Sequence, residues 1–399
     1  MKLKFRWLFF VLVILVIVYL IVYRDVSNLA DRTEFSSLFK YYQTANQTSK
    51  QLLKNGNLSK SDDASSKVAS ETKDKMEWIP SEIVVAVVVC GDRLTETLVM
   101  LKSAILFCFY LRHDLRIVIF TENSLFQSFS EKLGEWQSLT NTSFQFELHG
   151  LSFPDKNGNE WRKLFKPCAA QRLFLPTLLS HLDKVLYVDT DVIFLAPLSK
   201  VWSHFDKMNS TQMAALSPEH EDPSIGWYNR FARHPYYGKT GVNSGVMLMH
   251  LAKMRSFGWS SYLQPIYNEF KLKLTWGDQD IINVLFHFHP ERLLVYSCAY
   301  NYRPDHCMYS WMCGEAEREG VVVVHGSRSS FHGEKQPAFK AIYKAVEEYQ
   351  LPTDPHENLL LPMKSYLAQT TQSNCGKDAT LFTKQLEHTF PQPLDEGFR

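Results

Sequence analysis

The run Ile83-Val84-Val85-Ala86-Val87-Val88-Val89 limits the fold of this chain more tightly than any other segment. It is apolar at every position, almost wholly β-branched, and is ended by Cys90-Gly91-Asp92. Two-residue alternation is absent, so a strand built from it has no face to give to water. Such a strand belongs inside a sheet covered on both sides, where parallel neighbours are joined by crossover helices. A helical pattern spans 95–109, and a second apolar β run follows at 115–120. Further strands are expected at 184–188, 245–249 and 320–324, with helical stretches between them. Alternation of this kind predicts an open α/β sheet with helices on both faces. In such sheets ligands gather beyond the carboxyl ends of the strands, so the polar residues there are the ones to inspect.

The rest of the chain sets the domain's surroundings. Lys2, Lys4 and Arg6 precede an unbroken apolar run over 7–23, which Arg24 and Asp25 close. At about 1.5 Å rise per residue, about 17 residues cross most of the ~30 Å hydrocarbon core. The run lacks an Ala-x-Ala-like end, so an uncleaved signal-anchor is expected rather than a signal peptide. The charges before it belong in the cytosol, which predicts a single-pass type II protein with a cytoplasmic tail at 1–6 and its bulk in the lumen. From 24 to 79 the sequence is rich in Ser, Thr, Asn, Lys and Asp and reads as a flexible stem. An ordered domain is expected over 80–350 and an irregular tail over 351–399. Sequons at Asn46, Asn57, Asn141 and Asn209 and seven cysteines suit an oxidising lumen. Some cysteines should pair, most readily within Cys298, Cys307 and Cys313, and an odd number leaves one over. With 43 Lys and Arg against 42 Asp and Glu, the net charge of +1 gives no basis for binding nucleic acid.

The chemistry concentrates in Val185-Leu186-Tyr187-Val188-Asp189-Thr190-Asp191-Val192-Ile193-Phe194. An apolar strand runs into two carboxylates two positions apart, on one face of an extended chain. Carboxylates crowded against an apolar strand call for a cation, and a divalent metal bridging to a diphosphate answers that need. The run 321–324 likewise ends in His325, a third candidate ligand, with His332 as its competitor. An imidazole beside carboxylates leans toward manganese over magnesium.

Arg172-Leu173, the 182–191 segment, Gly241-Val242-Asn243-Ser244-Gly245-Val246, Asp278-Gln279-Asp280-Ile281-Ile282-Asn283 and the His325 strand together resemble family-8 retaining glycosyltransferases in order and spacing. The likeness covers about residues 80 to 350. Glu219-His220-Glu221-Asp222-Pro223 and the stretch from Gly226 to Tyr237 resemble the glucoside xylosyltransferase subgroup. The resemblance implies a GT-A fold, a Rossmann-like mixed sheet, and transfer of xylose from UDP-xylose, with retention. The acceptor it implies is glucose O-linked on EGF-like repeats of Notch type, in α-1,3 linkage, in the Golgi or endoplasmic reticulum. Another UDP-hexose donor, or a non-catalytic glycan- or EGF-binding role on the same scaffold, is the alternative. By the same resemblance Asp189, Asp191 and His325 hold Mn2+, with Mg2+ as the substitute, against the UDP diphosphate. Lys335 meets the diphosphate, although His332-Gly333 offers another register. Gln279 faces the anomeric carbon, and Asp278 and Asp280 bind sugar hydroxyls; helix capping is the competing explanation for both aspartates. Asn243 and Gly245 lie in a turn suited to a sugar contact, and Arg172 pairs with sugar hydroxyls or with the aspartates. Cys90 and Gly91 end the first strand beside the nucleotide, where Gly91 permits close backbone approach and Cys90 is otherwise buried filler. The aperiodic aromatic run 227–237 is either an acceptor wall or packed core.

Overall fold

The computed structural model describes residues 82–392, apart from 141–143, 156 and 165–167. All of these belong to one compact unit, Glu77–Arg399. The expected cytoplasmic tail, membrane anchor and stem, and the sequons at Asn46, Asn57 and Asn141, lie outside the described residues.

Among the described residues nine strands are formed: β1 (Ile83–Val89), β2 (Leu115–Thr121), β3 (Gln145–Gly150), β4 (Val185–Val188), β5 (Val192–Phe194), β6 (Ala214–Pro218), β7 (Val242–Met249), β8 (Leu293–Val295) and β9 (Val323–His325). Seven of them make one sheet in the order β3-β2-β1-β4-β7-β6-β8, and β5 with β9 forms a separate two-stranded ribbon. β1 pairs in parallel with β2 and β4, whereas β7 runs antiparallel to β4 and β6, so the sheet is mixed. Every residue of β1 is buried, as its lack of alternation requires.

The long helices are α1 (Leu94–Leu111), α2 (Phe126–Thr140), α3 (Trp259–Phe270), α4 (Asp278–Phe288), α5 (Pro337–Glu348), α6 (Leu361–Ala368) and α7 (Thr380–Thr389). Among the described residues α1 alone has the length and apolarity to cross a membrane, yet most of it is buried inside this unit. It is a core helix, and it packs against β5.

The stretch 351–392 is not an irregular tail. It folds into helices that close the core, with Leu381, Phe382 and Leu386 buried. The Val321 N–H donates to the Leu381 carbonyl at 2.9 Å, and Cys375 is bridged to Cys307. The buried apolar residues of this stretch are separated by polar ones, so low average hydrophobicity concealed a packed element.

Candidate active site

The site is assembled where β4 stops and the ribbon begins. The Asp189 N–H donates to the Gly245 carbonyl of β7 at 2.8 Å, which fixes the end of β4. One turn later Asp191 leads into β5, whose Val192 stands opposite His325 of β9. The ribbon register therefore delivers the imidazole to the two aspartates. His325 Nε2 lies 3.3 Å from Asp191 Oδ1 and 3.8 Å from Asp189 Oδ2. One ligand atom from each of the three falls within 4.8 Å of the others, a donor set suited to a divalent ion. His332, the competing ligand, is elsewhere engaged: its Nε2 is 2.7 Å from Glu96 Oε2.

Arg172 gathers the groups beside the aspartate pair. Its buried guanidinium is ion-paired to Asp189 Oδ1 at 2.9 Å and to Asp278, donates to the Ser244 carbonyl at 2.7 Å, and lies over the Tyr187 ring. With Oδ1 held by Arg172, Asp189 turns Oδ2 toward His325. Asp278 is buried, and desolvation pushes its carboxyl up to about 6 although Arg172 opposes the shift. Gln279, half-buried, accepts from the Ser244 N–H at 3.1 Å and directs its Nε2 toward Glu219 Oε2 at 3.4 Å.

Asp280 does not fit the part of a sugar ligand. It is fully buried, and both its oxygens are taken. One accepts from Tyr228 OH at 2.8 Å and faces His234 Nε2 at 3.1 Å; the other accepts from the Thr275 and Trp276 N–H groups. Neither aspartate caps α4, whose N-cap is Gly277 with no side-chain bond. Asp280 instead fastens the turn before the helix and the 227–237 segment to it. That segment contains a short helix, Trp227–Phe231, with Tyr228 inward and the Trp227 and Phe231 rings, tilted at 44° to each other, outward. The packed-core reading holds for its Tyr228 side.

Asn243 is buried with its amide engaged inside the protein: Nδ2 donates to Glu219 Oε2 at 2.7 Å, and Oδ1 accepts from the Gly245 N–H at 3.0 Å. Gly245 lies under the His325 ring, where a Cβ would come within 2.1 Å of Cε1. It serves the imidazole by its smallness. Cys90 is not filler but is bridged to Cys168. Gly91 adopts φ +64° with open space beside it, so the turn, and not crowding, requires glycine. Lys335 is exposed, three residues beyond His332. Glu96 escaped sequence reasoning altogether. This buried carboxylate accepts from Arg93 and from Thr190, between the two metal-facing aspartates, and binds His332. It thereby ties the segment carrying Lys335 to the carboxylate pair.

The comparisons with known proteins agree with this geometry. Rat glucoside xylosyltransferase 1 is 49% identical over 321 residues, covering 78% of this chain and 73% of that protein. Glucoside xylosyltransferase 2 of Xenopus laevis is 48% identical over 324 residues, covering 78% and 75%. The galactosyltransferase LgtC, solved with donor and acceptor sugar analogues, aligns over 69% of this chain and 100% of its own at a TM-score of 0.50 and 18% identity. An active-site mutant of LgtC aligns over the same shares at 0.52 and 15%. These two structures share the GT-A-type fold. The model of glycosyl transferase family 8 matches residues 94–325, and it is to this family that the chain belongs.

Proposed function

We propose that this protein transfers xylose from UDP-xylose, with retention, in α-1,3 linkage to glucose O-linked on EGF-like repeats, in a reaction that depends on a divalent metal. The relatives named glucoside xylosyltransferase, at nearly half identity over three quarters of the chain, support the sugar and the glucoside acceptor. The observation that carries the reading is the meeting of Asp189, Asp191 and His325 at the carboxyl end of β4.

Two carboxylates and an imidazole would hold Mn2+, or Mg2+ in its place, and bound there it would neutralise the charge that grows on departing UDP. The chain's own residues do the rest. Arg172 keeps Asp189 oriented and, with Asp278, presents an ionic pair to the sugar hydroxyls. Gln279 offers an amide that is a poor nucleophile, so displacement on one face of the sugar suits the site better than a covalent intermediate. In that course the departing phosphate oxygen takes the acceptor proton. Lys335 supplies a second cation toward the diphosphate, on a segment steadied by His332 and Glu96. Trp227 and Phe231 offer an aromatic wall to the acceptor. We assign residues 80–392 to the catalytic domain and residues 7–23 to a type II anchor in the Golgi or endoplasmic reticulum.

The test incubates the purified full chain with a panel of UDP-sugars, Mn2+ and an O-glucosylated EGF repeat, and weighs the product. A single added pentose from UDP-xylose, lost on chelation and in Asp191→Asn, is the expected result. Undiminished transfer by folded Asp191→Asn would overturn the metal assignment, and a hexose product would overturn the donor.

A further inference from the structure

Four side chains from separate parts of the sequence form one hydrogen-bonded row ending at the metal-facing imidazole. Asn243 Nδ2 donates to Glu219 Oε2 at 2.7 Å. Asn301 Nδ2 donates to Asn243 Oδ1 at 2.8 Å, and Asn301 Oδ1 lies 2.8 Å from His325 Nδ1. Asn301 is fully buried, and Asn243 and His325 nearly so.

The direction of this row is determined by its fixed end. A carboxylate only accepts and a backbone N–H only donates. Glu219 therefore demands the NH2 group of Asn243, while the Gly245 N–H, at 3.0 Å, demands its oxygen. With Asn243 held from both sides, Asn301 has to turn its own NH2 toward it, which leaves the Asn301 oxygen facing His325. An amide oxygen accepts, so Nδ1 of His325 carries the proton. In a neutral ring the lone pair is then on Nε2, the atom that faces Asp189 and Asp191. The opposite tautomer would place a proton where a metal ligand needs its electron pair. Gly245 sets the ring's position by leaving room for it, and Asn301 sets its rotation and tautomer.

We propose that Asn301 and Asn243, anchored on Glu219, are positioning residues that hold His325 as a preformed metal ligand. This rests on the metal reading given above, yet it makes a claim about the metal-free protein. The same Glu219 oxygen is approached by Gln279 Nε2 at 3.4 Å, so one carboxylate orients both the metal-side imidazole and the sugar-side amide.

The test uses the full chain labelled with 15N-histidine. Long-range proton–nitrogen correlation on the metal-free protein reads the tautomer of His325, identified by its loss in His325→Gln. Mn2+ affinity is measured in parallel by electron paramagnetic resonance titration. The wild type should show Nδ1–H. Asn301→Leu should move the ring toward Nε2–H and weaken Mn2+ about 10- to 100-fold. Asn301→Asp still offers an oxygen to Nδ1 and should keep the tautomer, although its second oxygen then meets the Asn243 oxygen with no proton between them. If Asn301→Leu does not fold, Asn243→Ala, which frees the Asn301 amide to turn, should mix the tautomers. A wild-type ring whose Nδ1 carries no proton, or a folded variant without the oxygen whose tautomer and affinity are unchanged, overturns the proposal. Absence of Mn2+ binding in the wild type overturns the metal reading instead, while the tautomer measurement still decides the relay.

Discussion

Asp278 and Asp280 are two residues apart on the first turn of α4 and meet opposite fates. Asp278 faces Arg172 at the sugar side, whereas Asp280 is enclosed by Tyr228, His234 and two backbone N–H groups. Asp278→Asn should therefore abolish most transfer with little change in melting temperature. Asp280→Asn should lower stability by about 3–5 kcal/mol, the usual penalty for breaking a buried pair, read by denaturant unfolding. Because the Asp278 carboxyl is pushed up to about 6, the form that pairs with Arg172 is lost as pH falls through that value. Transfer should show an acid limb near pH 6 that disappears from the residual activity of Asp278→Asn. Stability runs the other way: the folded state holds this proton from about 3.8 to about 6, so its contribution declines as pH rises across that window. Gly245→Ala should drive the His325 ring aside, at about 1–3 kcal/mol of overpacking, and weaken Mn2+ binding in the same titration. Asp189, Asp191 and His325 were legible because each sits where an apolar run ends. Glu96, Glu219 and Asn301 were not. Glu96 sits in the first turn of α1 and the other two lie in loops, away from the ends of apolar runs, and the importance of these three comes from partners far away in sequence.

Strands gave themselves away when buried on both faces. β1 and β4 are continuous apolar runs, β2 is broken only by Arg116 and Thr121 and β7 only by Asn243 and Ser244, and these four form the middle of the sheet. β3 is an edge strand exposed along much of its length. β6, Ala-Ala-Leu-Ser-Pro, has no β-branched residue, and β5 and β8 are three residues long, so none of them carries a signal a window can register. The C-terminal helices hid for a related reason, since Leu381, Phe382 and Leu386 are the only apolar residues of α7 and all three are buried. A chain ending at residue 350 loses the Leu381 carbonyl that receives the Val321 N–H and the Cys375 partner of Cys307. Such a protein should fail to accumulate in the secretory pathway, as judged by immunoblot of cell lysate and by resistance to protease, while the full chain does.

The whole molecule is stapled by Cys90–Cys168, Cys298–Cys313 and Cys307–Cys375, and Cys108 remains a buried thiol pushed up to about 12. Thiol labelling should find no reactive group in the native protein and one after denaturation without reductant. Three bridges suit an oxidising compartment, as does the exposed sequon at Asn209, whose side chain already accepts from Thr211. The two-stranded ribbon also imposes an order of events during synthesis. Asp191 leaves the ribosome long before His325, and the Leu381 carbonyl that holds Val321, two residues before β9, follows later still. At about 5–20 residues per second the carboxylate pair waits several seconds for its imidazole, and longer for the support behind it. An ion that needed all three ligands would therefore bind only after residue 325 has emerged, so shorter nascent chains do not present an assembled centre.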